Sequence, residues 1–420
     1  MELTEREKAM LAGAEGPVVA EALDYLVQFG EAFDAPRLVD LTYCHYPAEM
    51  AIYAGSVEDA VAFAARGAQV RVPTTSSTLC ADVERPAITG CPQALVDLQT
   101  QVVAAHRRMG VCETYTCTPQ LLGFVPPPGS YACLVESSAI VYYNSVLGVR
   151  TNRGGLFTRY AAVTGKYPLM GYLLDENRVG THRFRVRVRP ERLTTYDAWC
   201  ALGMHLGARV GSQVPVIEGI RPDRQEWLLG LGAALATSGS VTLFHIPGVT
   251  PEAPTVEAAF GGRPLPPAVE VTDADLDAVY AKQTTIAVGA EVDFVTLGCP
   301  HYNLEQLRQV AAALQGRMVA DGVRCWVCTN RMTRKQAEHS GYVQAIEASG
   351  ARVVADTCPV ESHLRLSTCR DFGLPTPNAQ AMVSDSGKMI RYVGDLIGCR
   401  TALGDRRRCL EAAARGRWER

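Results

Sequence analysis

Several features that mark special classes of protein are missing from this sequence. Its 420 residues contain no apolar run approaching the roughly 18 residues that a membrane-spanning helix needs. A net charge of -3 provides no basic excess for binding nucleic acid or an anionic membrane surface. There is no internal repeat or low-complexity segment, and the first residues, MELTEREKAML, are too polar for a secretion signal. We therefore expect a cytoplasmic globular protein that binds neither nucleic acid nor membrane.

The composition is typical of a folded globular protein. Hydrophobic residues make up 47% of the chain and charged residues 20%, and the length is sufficient for two or three domains with separate cores. Alternating strand-like and helix-like segments predict an α/β fold throughout. We predict an N-terminal α/β region at 1–130, a central α/β domain at 131–285 and a C-terminal Rossmann-like domain at 286–420.

The C-terminal region contains the clearest pattern. Three apolar runs, VDFVTLGCPH, VRCWVCTN and ARVVADTCPV, each end near a cysteine. The segments between them match helix-capping boxes that begin at Asn303 and Thr333. Strands linked through helices by short connections predict a parallel sheet, whose carboxyl ends all lie at the ligand-binding edge. We therefore expect Cys299, Cys328 and Cys358 to share one edge of a parallel βαβ module.

Fourteen cysteines occur in the chain, and in a reducing compartment they are not expected to form a disulfide framework. Some lie inside apolar runs and have the pattern of small buried hydrophobic residues. Reduced thiols are also suitable ligands for zinc or for an iron–sulfur cluster. Close Cys-x-x-Cys spacing, which is typical of structural zinc sites, occurs only at Cys325/Cys328. A structural zinc site is kept as a non-enzymatic alternative.

Two polar segments follow predicted strands in the first half of the chain. The run VRVPTT ends in Thr74 and Thr75, which either bind a carboxylate or phosphate or only terminate the strand. The segment RTNRGG, residues 150–155, combines guanidinium donors with glycines that let a ligand approach the backbone. A further run, VCETYTCTP, is predicted to be a strand that ends at a cysteine. The segment 150–155 predicts an anion-binding site, while both interpretations of Thr74 and Thr75 stay open.

The segments LTEREKAML, VRVPTT, TCTP, YYNSVLGVRTNRGG, VTLFHIPGVTPEA, LGCPH and VVADTC occur in that order. With these motifs the chain resembles the large subunit of the aconitase X family over residues 1–397, which implies a multi-domain aconitase-like architecture. Members are iron–sulfur-dependent hydro-lyases, and the resemblance implies that Cys117, Cys299 and Cys358 hold the cluster. It assigns no such role to Cys328. Three thiolate ligands would leave one iron without a protein ligand, so that this iron can bind substrate as a Lewis acid. The sequence does not determine the nuclearity of the cluster.

The resemblance also implies roles for polar side chains. Arg153 is the leading candidate for binding the substrate carboxylate, because arginine forms bidentate pairs with carboxylates. By analogy with aconitase, whose base is a serine, Ser384 or Ser386 is predicted to be the base, with Lys388 stabilising its alkoxide; the alternative is that these residues only cap a helix. The substrate-binding residues implied by the resemblance are Thr74, Thr75, Asn144, Ser145, Asn152, Arg153 and Gly154.

The predicted reaction is dehydration of a small hydroxylated carboxylic acid. The first candidate is cis-3-hydroxy-L-proline, which would yield Δ1-pyrroline-2-carboxylate. Mevalonate 5-phosphate is the second, with Arg71, Arg150 and Arg153 as a possible phosphate site. A specialised metabolite is the third candidate substrate. The segments SSTLCADVER and SDSGK, which are expected to lie near the substrate, both depart from the family pattern. The non-enzymatic alternative from the same resemblance is an iron-responsive binding protein. The family's smaller swivelling domain has no counterpart in the sequence, so a separate small subunit is expected as a partner.

Overall fold

The computed structural model describes residues 1–53 and 55–419, which form three regions that are each built around a parallel sheet. The predicted α/β fold is therefore confirmed. In the described residues no helix is both long and apolar enough to cross a membrane.

The first region consists of a four-stranded sheet flanked by helices. The strands are ordered β3-β2-β4-β5 and are all parallel, while β1 and β6 form a separate antiparallel pair. Its first helix begins at a capping box in which the Thr4 hydroxyl and the Glu7 carboxylate accept each other's backbone N–H. The elements are α1 (Glu5–Leu11), α2 (Pro17–Glu31), β1 (Leu38–Asp40), β2 (Tyr43–Tyr46), α3 (Ser56–Ala65), β3 (Thr74–Ser76), α4 (Gln93–Met109), β4 (Tyr131–Leu134), α5 (Ser137–Ser145), β5 (Arg150–Arg153), α6 (Phe157–Thr164) and β6 (Lys166–Pro168).

The second region has a three-stranded parallel sheet with the order β8-β7-β9. Two long helices, α7 and α8, pack together over it, and the rings of Trp199 and Trp227 stack between them. The elements are β7 (His182–Val186), α7 (Tyr196–Val210), β8 (Pro215–Glu218), α8 (Gln225–Gly239), α9 (Val256–Ala259), β9 (Val269–Val271) and α10 (Asp273–Gln283).

The third region is a doubly wound five-stranded sheet with the order β12-β11-β10-β13-β14, and all its strands are parallel. Its central strands are buried on both faces, which explains their nearly continuous apolar sequences. The elements are β10 (Phe294–Leu297), α11 (Leu304–Leu314), β11 (Arg324–Thr329), α12 (Arg331–His339), α13 (Tyr342–Ala348), β12 (Arg352–Ala355), α14 (Leu366–Asp371), β13 (Ala381–Ser384), α15 (Gly387–Leu396), β14 (Arg400–Leu403) and α16 (Arg406–Arg415).

The strand order reverses between β10 and β13. The chain proceeds from β10 through β11 to β12 on one side, and then returns to place β13 and β14 on the other. Such a switch point leaves a crevice at the carboxyl ends of the two central strands, where ligands bind in open α/β sheets. Residues that directly follow β10 and β13 are therefore the first candidates for a functional site in this region.

Buried polar contacts join the first and third regions. Arg334 is only 1% exposed, and its Nη1 donates to Asp82 Oδ2 at 2.8 Å. The same Asp82 oxygen accepts the backbone N–H of Ala355 at 3.2 Å, and the N–H of Leu79 donates to the carbonyl of Asp356 at 2.7 Å. The second region contacts the third through the Tyr196 hydroxyl, which donates to the carbonyl of Cys299 at 3.3 Å.

Three details differ from the sequence predictions. The predicted boundary after residue 130 divides the first sheet, because β4 and β5 follow that point and pair with β2. The predicted strand VCETYTCTP has only one isolated bridge, between Thr75 and Cys112, because its next residues cross toward the third region. The capping box at Asn303 is confirmed, whereas α12 is capped by Asn330 and Thr333 already lies inside that helix.

Candidate active site

Three cysteines from two regions meet at the edge of the third sheet. Gly298 has a φ of +87° and follows β10 so tightly that a Cβ there would lie 2.1 Å from the carbonyl oxygen of Cys328. This turn places Cys299 at the switch point, and Cys358 follows β12, which β11 separates from β10 in the sheet. Cys117 comes from the first region, and its Sγ accepts the backbone N–H of His301 at 3.1 Å. Burial raises the pKa of Cys358, and the charges of Cys299, Glu361, Cys328 and Cys117 raise it further, so all four groups lie near its thiol.

The three thiols have the chemistry expected of cluster ligands. Burial raises the pKa of Cys299 to about 11, although the Lys388 ammonium and a hydrogen bond from the Ser386 hydroxyl oppose the change. Burial also raises the pKa of Cys117. A buried thiolate needs a cationic partner, and iron is a suitable one for soft sulfur. In the described residues, no three or more His, Cys, Asp or Glu side chains are grouped to hold a single metal ion.

Cys328 lies near these thiols, since its charge raises the pKa of Cys358 and the charge of Cys299 raises its own pKa, but it differs from them in its place on the strand. It is inside β11 rather than beyond its end, and it is completely buried. Its Sγ lies 4.0 Å from the Thr296 hydroxyl on the neighbouring strand, and burial raises the pKa of the thiol. Its position in the core agrees with a packing role.

A buried ion pair stands beside the cysteines. Lys388 in the first turn of α15 donates from Nζ to Glu136 Oε1 at 2.5 Å and to the Ser137 hydroxyl at 3.2 Å. Glu136 caps α5 and accepts the backbone N–H of Ser138 at 3.3 Å. Burial acts to raise the pKa of Glu136, but the Lys388 ammonium acts more strongly in the other direction and lowers this pKa to about 2. Burial acts to lower the pKa of Lys388. The charges of Glu136, Cys299 and Cys117 have the larger effect, and the pKa of Lys388 is raised. Both groups are therefore charged at neutral pH.

Of the two predicted catalytic serines, Ser384 is the last residue of β13 and Ser386 follows the strand at the switch point, and both are completely buried. The Ser386 backbone N–H donates to Ser384 Oγ at 3.2 Å. Ser386 is the N-cap of α15, and its Oγ accepts the backbone N–H of Met389 at 3.1 Å. The helix-cap interpretation of Ser386 is confirmed. A cap does not exclude a catalytic role, because the same N–H donors stabilise an alkoxide.

Two predicted binding residues, Thr74 and Thr75, are buried and bonded within the protein. The Thr74 hydroxyl donates to the carbonyl of Val72 at 2.8 Å. Thr75 Oγ1 bonds to the Tyr43 hydroxyl and to His45 Nδ1, the latter at 2.8 Å. Burial lowers the pKa of His45 to about 4, so its ring is neutral. These contacts organise the carboxyl ends of β2 and β3.

The other predicted binding residues serve mainly the junction between the first and second regions. Asn144 donates to the carbonyls of Thr151 and Thr242 at 2.8 and 3.2 Å. Ser145 Oγ accepts the N–H of Phe244 at 2.9 Å, and Asn152 donates to the carbonyl of Met170 at 2.8 Å. A Cβ at Gly154 would lie 2.4 Å from Thr158 Oγ1 and 2.5 Å from Cys133 Sγ, so no side chain fits there. Arg153 is exposed at the end of β5.

A cavity of about 380 Å³ is lined by Glu136 and Glu361, whereas none of the three cysteines is part of its lining. Ser77 and Thr78, which follow β3, line one side of it, and Glu136 lines another. Glu361 also lines it and lies three residues after Cys358. The cavity is large enough for a small organic acid, since ligand pockets begin at about 300 Å³. The Glu136–Lys388 pair and Glu361 therefore connect the cavity to the thiols.

Sequence reasoning missed the acidic residues of this site. Glu136 directly follows the apolar run ACLV and precedes two serines, a pattern that indicates a helix cap at a sheet edge. Glu361 follows Cys358 in the segment CPVES. Glu49 and Arg159, which also line the cavity, belong to no recognisable motif and meet only in the folded chain.

Family models match nearly the whole chain in three consecutive segments. They are described as the Aconitase X first domain, second domain and third domain, and they match residues 1–176, 180–281 and 292–415 respectively. The first two segments meet between 176 and 180, after the four-stranded sheet, in agreement with the strand pairing.

Two curated proteins illustrate the similarity. The cis-3-hydroxy-L-proline dehydratase of Pseudomonas aeruginosa is 34% identical, over 98% of this chain and 70% of that protein. The phosphomevalonate dehydratase large subunit of Methanothermobacter thermautotrophicus is also 34% identical, over 96% of each chain. Among solved structures, the holo-form of Thermococcus kodakaraensis aconitase X superposes with a TM-score of 0.84 at 28% identity, covering 98% of this chain and 100% of that one.

Proposed function

The chain belongs to the aconitase X family, a family of hydro-lyases, and we propose that its substrate is cis-3-hydroxy-L-proline. The family and the reaction class predicted from the sequence are confirmed by these matches. The observation that supports the choice of site is that Cys117 Sγ accepts the backbone N–H of His301, two residues after Cys299, while Glu361, three residues after Cys358, lines a small cavity.

The choice between the two named substrate types is supported by the positions of three arginines. Mevalonate 5-phosphate requires a cluster of free cations for its phosphate. Arg71 is paired with Glu15, and Arg150 is paired with Asp175 and also donates to the carbonyl of Leu173. None of Arg71, Arg150 and Arg153 lines the cavity. The amino acid, which carries a single carboxylate, therefore fits this site better than the phosphate ester.

We propose that Cys117, Cys299 and Cys358 hold an iron–sulfur cluster. The donor set fits, because the three thiols are soft and buried, and no disulfide occupies them. When bound, the cluster would supply a Lewis-acidic iron for the oxygen atoms of the substrate. The other steps depend on residues of the chain itself.

In the proposed reaction, Ser386 removes the proton from C2, beside the carboxylate. Hydroxide leaves C3, a C2–C3 double bond forms, and the resulting enamine rearranges to Δ1-pyrroline-2-carboxylate with net loss of water. The N-terminus of α15 favours the serine alkoxide, since Met389 N–H already donates to Ser386 Oγ. Lys388 adds positive charge two residues further along the helix, and Glu136 holds its ammonium in place. Ser384 is the alternative base, and Arg153, which lies at the end of β5 outside the cavity lining, stays a prediction as the carboxylate ligand.

A smaller partner polypeptide is proposed to complete the cleft. Phosphomevalonate dehydratases related to this chain are named as large subunits, which implies a small subunit in those proteins. In this chain Leu156 lines the cavity and is 71% exposed, so an apolar side chain stands open at its rim. A cytoplasmic location is proposed as well, in keeping with fourteen free cysteines.

The test is an anaerobic reconstitution of the chain with iron, sulfide and the partner, followed by a substrate screen. The expected result is a brown protein that converts cis-3-hydroxy-L-proline to Δ1-pyrroline-2-carboxylate. Dehydration of mevalonate 5-phosphate without activity on hydroxyproline would show that the proposed substrate is wrong. Cys299→Ser is expected to lose iron and colour, while the matched variant Cys328→Ser keeps both. Iron loss in Cys328→Ser would contradict the proposed ligands.

A further inference from the structure

The charges that line the active-site cavity are predominantly negative. Among the described residues its walls contain four carboxylates, Glu49, Asp59, Glu136 and Glu361, and a single cation, Arg159. Arg159 is already engaged, since its Nε donates to Glu49 Oε1 at 2.8 Å. An incoming anion therefore finds no uncompensated positive charge on the cavity wall itself.

The carboxylates differ in how well they are neutralised. Glu49 accepts hydrogen bonds from Arg159, and His106 Nε2 lies 3.0 Å from its second oxygen. Glu136 is paired with Lys388 at 2.5 Å. Both are therefore satisfied without a ligand.

Asp59 is exposed to solvent, and among the other three carboxylates Glu361 has the weakest compensation. Its Oε2 lies 3.3 Å from Arg365 Nη1, and that same nitrogen donates to the Tyr53 hydroxyl at 2.9 Å and to the carbonyl of Val360 at 3.2 Å. Burial raises the pKa of Glu361 to about 7, although Arg365 lowers it. A cation in the cavity would stabilise the ionised carboxylate.

We propose that the cavity selects a substrate with a protonated amine next to its carboxylate, and that Glu361 accepts the N–H donors of that ammonium. The inference rests on the proposed dehydratase function and adds to it the recognition of the amine. A zwitterion brings one positive and one negative charge, so it does not increase the negative charge of the cavity. A phosphorylated hydroxy acid brings about three negative charges at neutral pH, which the carboxylates repel.

The test uses two ligands that cannot be dehydrated. L-Proline carries the ring ammonium, and tetrahydrofuran-2-carboxylate has an oxygen atom in its place. Their dissociation constants are measured by calorimetry on the reconstituted protein with its partner. We expect L-proline to bind about 10- to 100-fold more tightly, as for a partly buried charged hydrogen bond of about 1.5–3 kcal/mol.

Variants then assign the preference to one side chain. Glu361→Gln is expected to reduce the ratio of the two constants to within about threefold, while Glu361→Asp keeps part of it. Glu58→Gln removes an exposed carboxylate on α3 that does not line the cavity, and it is expected to leave the ratio unchanged. Equal binding of both ligands by the parent protein, or an unchanged ratio in Glu361→Gln, would overturn the inference.

The two proposals fail in different ways. Turnover of mevalonate 5-phosphate together with no preference for L-proline would overturn the inference and leave a dehydratase in place. A clear preference for L-proline with no turnover of any hydroxy acid would support amine recognition and overturn the proposed reaction. Because the parent protein alone already tests the preference, a variant that fails to fold does not remove the test.

Discussion

Replacing Lys388 by methionine is expected to destabilise the protein through the carboxylate that it leaves behind. Lys388 and Glu136 are 12% and 16% exposed, and their charged atoms lie 2.5 Å apart. Removing one partner of a buried pair costs about 3–5 kcal/mol, because the other charge remains buried without compensation. Given the partial exposure we expect a loss of about 3 kcal/mol, which moves a urea midpoint by about 1 M for a slope of about 3 kcal/mol/M.

The pH dependence of this loss follows from the pKa of Glu136. In the parent its pKa is lowered to about 2, below the unfolded value of about 4.3, so the pair stabilises the fold above that value and its contribution is lost as pH falls toward 2. Without Lys388, the raising effect of burial is opposed mainly by the hydrogen bond from the Ser138 N–H, so the pKa of Glu136 rises. The loss of unfolding free energy in Lys388→Met is therefore largest at pH 7 and becomes smaller as the pH is lowered toward 5.

The assay is urea unfolding of iron-free protein at pH 7 and pH 5, so that loss of a cluster does not contribute. Adding Glu136→Gln to Lys388→Met is expected to restore at least half of the lost stability, because no buried charge remains. Lys335→Met is the matched control, since Lys335 is 65% exposed and pairs with Glu338 at the surface; it is expected to change stability by no more than about 0.5 kcal/mol. A loss of less than about 1 kcal/mol at pH 7, or no recovery in the double variant, would refute the reasoning.

Three further predictions concern residues around the site. Gly154→Ala is expected to lose about 1–3 kcal/mol in urea unfolding, because its Cβ would overlap Thr158 and Cys133; full stability would contradict the packing. Arg153→Ala is expected to raise KM with the iron content and the urea midpoint unchanged, and an unaltered KM would show that this exposed arginine does not bind the carboxylate. Ser386→Ala is expected to lose about 1 kcal/mol of unfolding free energy, because the helix cap is removed. With the cluster intact, its kcat is expected to fall at least about 100-fold. A kcat near that of the parent would show that another residue, such as Ser384, is the base.

Short-range patterns account for the predictions that agree with the structure. The capping box at Asn303 involves two residues three positions apart, so the chain needs no tertiary information to form it. The apolar runs of the third region identified β10, β11 and β12, and their parallel pairing followed from the short helical connections. Cys299 and Cys358 were placed at the sheet edge by the same logic, since each directly follows a strand.

The errors arose where neighbouring residues do not determine the local structure. The boundary predicted after residue 130 failed because sheet pairing joins β2 to β4 across almost ninety residues, and no composition change marks that continuity. Thr333 fits a capping pattern, but Asn330 fits an earlier one and begins the helix. Asn144 and Asn152 stay predicted as substrate-binding residues, and the structure adds that their amide groups donate to the carbonyls of Thr242 and Met170, contacts that the sequence does not reveal.

The sequence by itself determined the α/β class, the parallel C-terminal sheet, the two cysteines at its edge and, through its motifs, the family. Only the tertiary structure decided that Cys117 stands beside His301, and that Lys388 pairs with Glu136, 252 positions earlier in the chain. The tertiary structure alone also showed that acidic side chains line the cavity. The physical reason is that helix and strand formation depends on residues a few positions apart, whereas a buried charge is stable only beside a partner that the folded chain brings to it.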